Sequence, residues 1–235
     1  MTYSYTITPV AECSILVTFD ADPSSHLSLF IGAITHSLAQ SYSDWIMNIT
    51  PSYNTILIDY LPHRIELTEF LAKMNSHIIS QENQPTHFSY DTVILPAYYD
   101  LSVGADLTEY ISDGLSLEKI IELHTEVDYT VSAIGFTPGF AFLSDVHPLL
   151  RKPRKASPRL SVPKGSIAIA NKQTAVYPNA SPGGWNIIGN CPINLCEPSK
   201  EPMTPFLIGQ TVRFRPISKQ EFISLGGVIP DEDMQ

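Results

Sequence analysis

Arg159, Gln173 and Tyr177 place a guanidinium, an amide and a phenol in one stretch of chain. That stretch has no acidic residue from Val146 to Leu195, although the protein carries 24. A guanidinium in such a setting offers paired donors to a carboxylate or phosphoryl group. Two neutral hydrogen-bonding groups beside it suit an amide or lactam. Arg151, Lys152, Arg154, Lys155, Lys164 and Lys172 fall in the same stretch, so a chain of net charge -10 is expected to build a local positive field there. Arg159 stands apart from the Arg151 to Lys155 cluster, between Pro158 and a strand-like LSVP, and is the candidate anion clamp. If ANKQTAVYP is a strand, Gln173 and Tyr177 share a face with Ala175 between them.

Two glycine-rich loops flank these residues. GFTPGF, Gly135 to Phe140, allows a tight turn with outward backbone N–H groups and two aromatic rings, which makes Phe136, Pro138, Gly139 and Phe140 candidate ligand contacts. SPGGW offers Ser181, Pro182, Gly183, Gly184 and Trp185 on the same grounds, with the glycines permitting close approach and the indole supplying a flat wall. Either loop alone reads as an ordinary turn. Two in one acid-free stretch favour a binding site. His124 closes a short helix, where a histidine suits the helix dipole more commonly than proton transfer; it is the weaker catalytic candidate.

Several chemistries are excluded. Ser161 and Lys164 have the S-x-x-K spacing of a serine acylase, but Pro163 prevents the helical turn that would bring them together. There is no G-x-S-x-G elbow and no P-loop. The histidines show no metal-binding spacing, and Cys13, Cys191 and Cys196 form neither a disulfide framework nor a zinc knuckle, so no metal site is expected. The net charge of -10 argues against nucleic acid or an anionic membrane as partner. The absence of a signal segment or an apolar span makes the cytoplasm the expected location.

The elements that must carry these residues follow from periodicity. YTITPV and SILVTF read as strands, Ser24 to Ala39 as an amphipathic helix capped by Asp22 or Ser24, IMNIT and TILIDY as a second strand pair, and Leu67 to Ile78 as a second helix. Two strands, a helix, two strands and a helix predict helices on one face of a mostly antiparallel sheet. The polar run 80–86 is expected to be a linker. Beyond it HFSYDTVILPAYY reads as a strand, Asp106 to Ser112 and Leu117 to His124 as short helices, and YTVSAI, SIAIA, TAVYP, WNIIG, INLCE and TVRFRPI as strands of a barrel or sandwich. The tail DEDMQ is expected to fray.

GFTPGFAFL, SPRLSVPKGSIAIANKQTAVYP and SPGGWNIIGNCP resemble the signature of the family of 5-oxoprolinase B subunits, also called the KipI family or allophanate hydrolase subunit 1. TPSYNTILIDY, GADL and LSLEKIIELH extend the resemblance over nearly the whole chain. It implies an α+β fold, with a ferredoxin-like domain over 1–84 and a cyclophilin-like β-barrel, similar to carboxyltransferase subdomains C and D, over 85–235. It also implies one component of an ATP-dependent enzyme that opens 5-oxo-L-proline to L-glutamate, working with a carboxyltransferase-like C subunit plus an A subunit and inactive alone. ATP is then a co-substrate whose site is shared with a partner. The family's alternatives are inhibition of a sensor histidine kinase and a urea or allophanate-type amidohydrolase; likeness to cyclophilin alone would add prolyl isomerase. Where the family has GIAGSQTGIYP this chain has AIANKQTAVYP, so Ala168, Asn171 and Ala175 replace glycines and a narrower pocket is expected.

Overall fold

The computed structural model describes residues 3–82 and 90–230. It divides into two compact units, the first comprising Met1–Tyr90 with Leu207–Gln210, the second Asp91–Phe206 with Thr211–Gln235. Together they form a mostly antiparallel α+β structure with a few helices.

In the first unit, β1 (Tyr5–Ala11), β2 (Ser14–Phe19), β4 (Thr55–Tyr60) and β3 (Ile46–Ser52) pair antiparallel in that order. The period-2 pattern of β2 and β4 buries Ile15, Val17 and Phe19 and Ile56, Ile58 and Tyr60 on one face. Helix α1 (Ser25–Ser41) begins where the Ser24 hydroxyl accepts the Leu27 amide, which selects Ser24 over Asp22 as the cap. It buries Leu27, Phe30, Ile31, Ile34 and Leu38, each contributing about 1.5–3 kcal/mol. Helix α2 (Leu67–Glu82) buries Phe70, Met74 and Ile78. It runs through residues 80–82 of the expected linker, whose remainder lies outside the described residues, as does the tail 231–235. Leu207–Gln210 packs on α1, where Gly32 leaves room for the Ile208 carbonyl.

In the second unit, β5 (Val93–Ala97) lies parallel to β13 (Thr211–Pro216), and antiparallel pairing continues through β6 (Tyr129–Ile134), β7 (Ala141–Ser144), β10 (Gln173–Val176), β9 (Ser166–Ala170) and β12 (Asn186–Asn190). After β5, Tyr98 exchanges two backbone hydrogen bonds with Asn190, of 2.9 and 2.8 Å, and so links the first strand of this path to the last. A separate ribbon pairs β8 (Arg159–Val162) with β11 (Ser181–Gly183). The helices are α3 (Leu107–Ser112), α4 (Leu117–Thr125), started by the Ser116 hydroxyl on the Lys119 amide, and α5 (Lys219–Ser224).

Three expectations are corrected. INLCE is not a strand: Pro192 and Pro198 bracket it, and Leu195 is buried against Gly139 in an irregular path. AFLS forms β7, and part of SPGGW forms β11 rather than a loop. Of the strand sought in HFSYDTVILPAYY, residues 87–89 lie outside the described residues, and among the others only Val93–Ala97 is strand.

Candidate functional site

The centre of the site is an aromatic cluster. Phe140, Tyr177 and Trp185 are buried together with Val162, Ala168, Ala170, Ala175 and Ile187, and Phe142 packs against them. Their rings meet edge to face: Phe140 lies 5.3 Å from Tyr177 and 5.6 Å from Trp185, at interplanar angles of 82° and 87°. Phe136 adds its ring 6.3 Å from Tyr177 while remaining 62% exposed. Both glycine-rich loops therefore supply side chains to one place.

Local backbone explains how. In GFTPGF, Gly139 takes φ 83° and sits against the Leu195 carbonyl and Cys196, a position a Cβ would not fit. Phe136 has φ 69°, a strained conformation for a bulky residue, and this turns its ring outward. Gly183 makes room for Tyr177: a Cβ there would collide with the tyrosine hydroxyl and lie 2.9 Å from Cζ. Gly184 has ordinary clearance, with 3.5 Å to the nearest atom, so the close approach expected of both glycines applies to Gly183 alone, and its neighbour is protein.

Tyr177 is tied into the polar part of the site. Burial raises its pKa, against the Trp185 amide that donates to its oxygen and the nearby charges of Arg154 and Arg159. The phenol is therefore neutral and keeps a proton to donate. Arg154 lies over the Trp185 ring at 5.8 Å. The Lys155 amide donates to the Gly184 carbonyl at 2.7 Å, and Asn186 Nδ2 donates to Pro153 and Ile169 carbonyls, pinning the basic segment against β11 and β12.

The positive field is not as bare as the chain order implies. Acids along α3 and at both its ends meet the basic segment: Asp106 Oδ1 accepts from Arg159 Nη2 and Lys155 Nζ, each at 2.7 Å. Lys155 also pairs with Glu109, and Lys152 with Asp113. The other carboxylate oxygen of Asp106 accepts the Ile187 amide at 2.7 Å. Burial works to raise the Asp106 pKa, but hydrogen bonds from Arg159, Lys155 and the Ile187 amide prevail and hold it below the usual carboxylate range. In the sequence Asp106 marks only the start of a helix. Its side chain makes no cap hydrogen bond, because both oxygens are used across the fold.

Among the described residues, Arg159 Nη1, Ser181 Oγ and Thr137 Oγ1 are buried without a hydrogen-bond partner. One belongs to each of the three segments singled out in the sequence. Unpaired buried donors of this kind cost about 1–3 kcal/mol each, more for a charged group.

Two candidates are placed elsewhere. Gln173 is at the far end of β10, opposite Ser144 and Ala170. About 13 Å of extended chain separates it from Tyr177, at roughly 3.3 Å per residue. His124 is fully buried. Thr174 Oγ1 donates to the Ala168 carbonyl at 3.1 Å and so accepts from His124 Nε2 at 3.0 Å, which leaves Nδ1 to accept from the Tyr99 hydroxyl at 2.7 Å. Desolvation drives its pKa down to about 3. The ring is neutral with both nitrogens used, which removes the cationic helix-dipole role and leaves it no free nitrogen for proton transfer. Asn171 takes φ 53°, a conformation asparagine tolerates. Ala168 and Ala175 face each other across β9 and β10 inside the aromatic cluster.

An open concavity of about 710 Å³ in the first unit is lined by residues including Thr6, Thr18, Asp20, Asp22 and Asn54. Its carboxylates have the wrong sign for an anionic ligand. Among the described residues no group of three or more His, Cys, Asp or Glu converges as metal ligands, and no helix is long and apolar enough to cross a membrane.

The family model "Carboxyltransferase domain, subdomain C and D" matches residues 5–206. The chain is 29% identical over 232 residues to the 5-oxoprolinase B subunit of Bacillus subtilis, covering 94% of this chain and 97% of that protein. It is 30% identical over 214 residues to the 5-oxoprolinase B subunit of Haemophilus influenzae, covering 88% and 96%. The chain belongs to the 5-oxoprolinase B-subunit family of carboxyltransferase C and D domains. The crystal structure of TTHA0988 superposes with a TM-score of 0.76 at 32% identity, over 93% of this chain but 41% of that longer one. Kluyveromyces lactis urea carboxylase, at 15% identity and a TM-score of 0.70, shares the fold over 95% of this chain and 22% of its own.

Proposed function

We propose that this chain is the B subunit of an ATP-dependent 5-oxoprolinase, acting with its carboxyltransferase-like C subunit and its A subunit in the cytoplasm and inactive without them. The observation that carries the reading is the pairing of an apolar, ring-lined floor with buried, unpartnered donors on Arg159 and Ser181. A cyclic amide bearing a carboxylate has the matching halves: a flat ring for the exposed Phe136, which the buried Phe140 and Trp185 back, and an anion for Arg159. The Tyr99–His124 interior and the link from Tyr98 to Asn190 support the cyclophilin-like barrel as the frame, with the first unit ferredoxin-like.

In the reaction, the lactam oxygen takes the γ-phosphoryl group of ATP and ADP leaves. Water then adds to the activated carbon, the ring C–N bond breaks, and a second water releases phosphate from the resulting acyl phosphate to give L-glutamate. Tyr177, neutral and able to donate, is the group that would orient the amide, while Gln173, at the far end of β10, takes no part in that contact. Arg154 and Arg159 stabilise anionic charge at the open side. The test is 5-oxoproline-dependent ATP hydrolysis by the chain with its partner subunits; no turnover in the complete mixture contradicts the reading.

A further inference from the structure

We propose that Asp106 is the positioning residue of a carboxylate receptor, in which Arg159 Nη1 and Ser181 Oγ are the donors that hold the ligand's carboxylate. This rests on the cyclic-amide reading above and says which ligand group the site selects.

Asp106 is 2% exposed and fixed from two sides: its own amide donates to the Ile187 carbonyl at 2.9 Å while its Oδ2 accepts the Ile187 amide at 2.7 Å. The first bond fixes its backbone, and the carboxylate cannot swing without breaking the second. The remaining oxygen holds Arg159 Nη2. A planar guanidinium held at one nitrogen has its other end aimed, and that other end, Nη1, is buried and has no acceptor, although 31% of the Arg159 side chain is open to solvent. Lys155 shares that carboxylate oxygen but also pairs with Glu109, so Asp106 is not left to Arg159 alone and the guanidinium is held at Nη2 without being fully neutralised at Nη1.

The ribbon brings the second donor close. Gly183 is opposite Arg159 and Ser181 is opposite Val162, across a register shift. Val162 is fully buried in the aromatic cluster, so the face it shares with its partner Ser181 is the inner one, and the register shift over the exposed Leu160 and Ser161 returns Arg159 to that face opposite Gly183. Opposite and diagonal neighbours on one face lie about 4.5–8 Å apart. A carboxylate that accepts one hydrogen bond of about 2.8 Å on each oxygen spans that gap. Lysine in place of Arg159 would not supply it, because one ammonium cannot both satisfy Asp106 and keep a fixed donor turned to the ligand.

The experiment is calorimetric binding of 5-oxoproline and of 2-pyrrolidinone, the same ring without its carboxylate, to the full chain and to its complex with the partner subunits. Wild type, Asp106→Asn, Ser181→Ala and the surface control Asp128→Asn are compared. The expected result is preference of wild type for 5-oxoproline, reduced at least tenfold by Asp106→Asn and several-fold by Ser181→Ala, with 2-pyrrolidinone binding changed less than twofold and Asp128→Asn like wild type. Ser181→Ala keeps the test decisive if Asp106→Asn fails to fold. No preference for the carboxylate in wild type, or equal weakening of both ligands, overturns the proposal. Selective, Asp106-dependent carboxylate binding without ATP-dependent turnover would instead retain the receptor and reject the 5-oxoprolinase reading.

Discussion

The Tyr177 hydroxyl occupies the space that a Cβ on Gly183 would fill. The glycine thus has a specific partner, and the neighbouring Gly184 does not. Gly183→Ala is expected to push the phenol off the Trp185 amide and cost roughly 1–3 kcal/mol of stability. Gly184→Ala, with ordinary clearance, is expected to stay within about 0.5 kcal/mol of wild type. Urea unfolding of the two variants reads the difference.

His124 gives the protein an acid-sensitive core. Its pKa falls from about 6.5 unfolded to about 3 folded, so the unfolded chain binds the extra proton between those values. Stability from this group is complete above pH 6.5 and declines as pH falls, by about 1.4 kcal/mol per unit. His124→Gln should flatten that slope at some loss of stability at pH 7. Denaturation midpoints at pH 7, 6 and 5 check it, and a slope unchanged by the substitution would contradict the buried neutral ring.

Much of this architecture is legible in the sequence, and the parts that are not have physical causes. The strands β2 and β4 and helix α1 announce themselves by clean periodicity, and Ser24 and Ser116 by capping chemistry. The loops GFTPGF and SPGGW are visible as glycine-rich anomalies, and they do converge on one cluster. What local pattern cannot convey is pairing across the chain. Asp106 is 53 residues from Arg159, so an acid-free segment in sequence became an ion-paired one in space. Likewise Leu207–Gln210 belongs with the first unit through a close approach to Gly32 that no spacing rule encodes. His124 has the sequence context of a surface helix end, and only tertiary packing buries it.

The two kinds of ion pair should behave differently. Asp128 and Arg213 form a two-point pair that is half exposed on both sides, and Asp128→Asn is expected to cost less than about 1 kcal/mol. Asp106→Ala strands the Ile187 amide and the Arg159 guanidinium while Lys155 keeps Glu109, with an expected cost of about 1–3 kcal/mol, moderated because Arg159 is partly hydrated. Because the Asp106 pKa is depressed, its contribution is present above about pH 4 and lost as pH falls below it. Thermal unfolding of both variants at pH 7 and of wild type below pH 4 tests the ranking.

Gly32→Ala should reverse the usual sign for a helix interior, where alanine gains about 1 kcal/mol over glycine. Here the new methyl meets the Ile208 backbone carbonyl, so the substitution is expected to destabilise. A rise in melting temperature would contradict the close contact.

The proposed 5-oxoprolinase chemistry rests on the cradle formed by Tyr177, Arg159 and the two loops. Its most direct measurement is phosphate release dependent on 5-oxoproline, in the complex with the partner subunits, for wild type, Arg159→Ala and Tyr177→Phe. Turnover is expected in wild type, with a fall of at least tenfold in each variant while the complex still assembles. Full activity in both variants would contradict it.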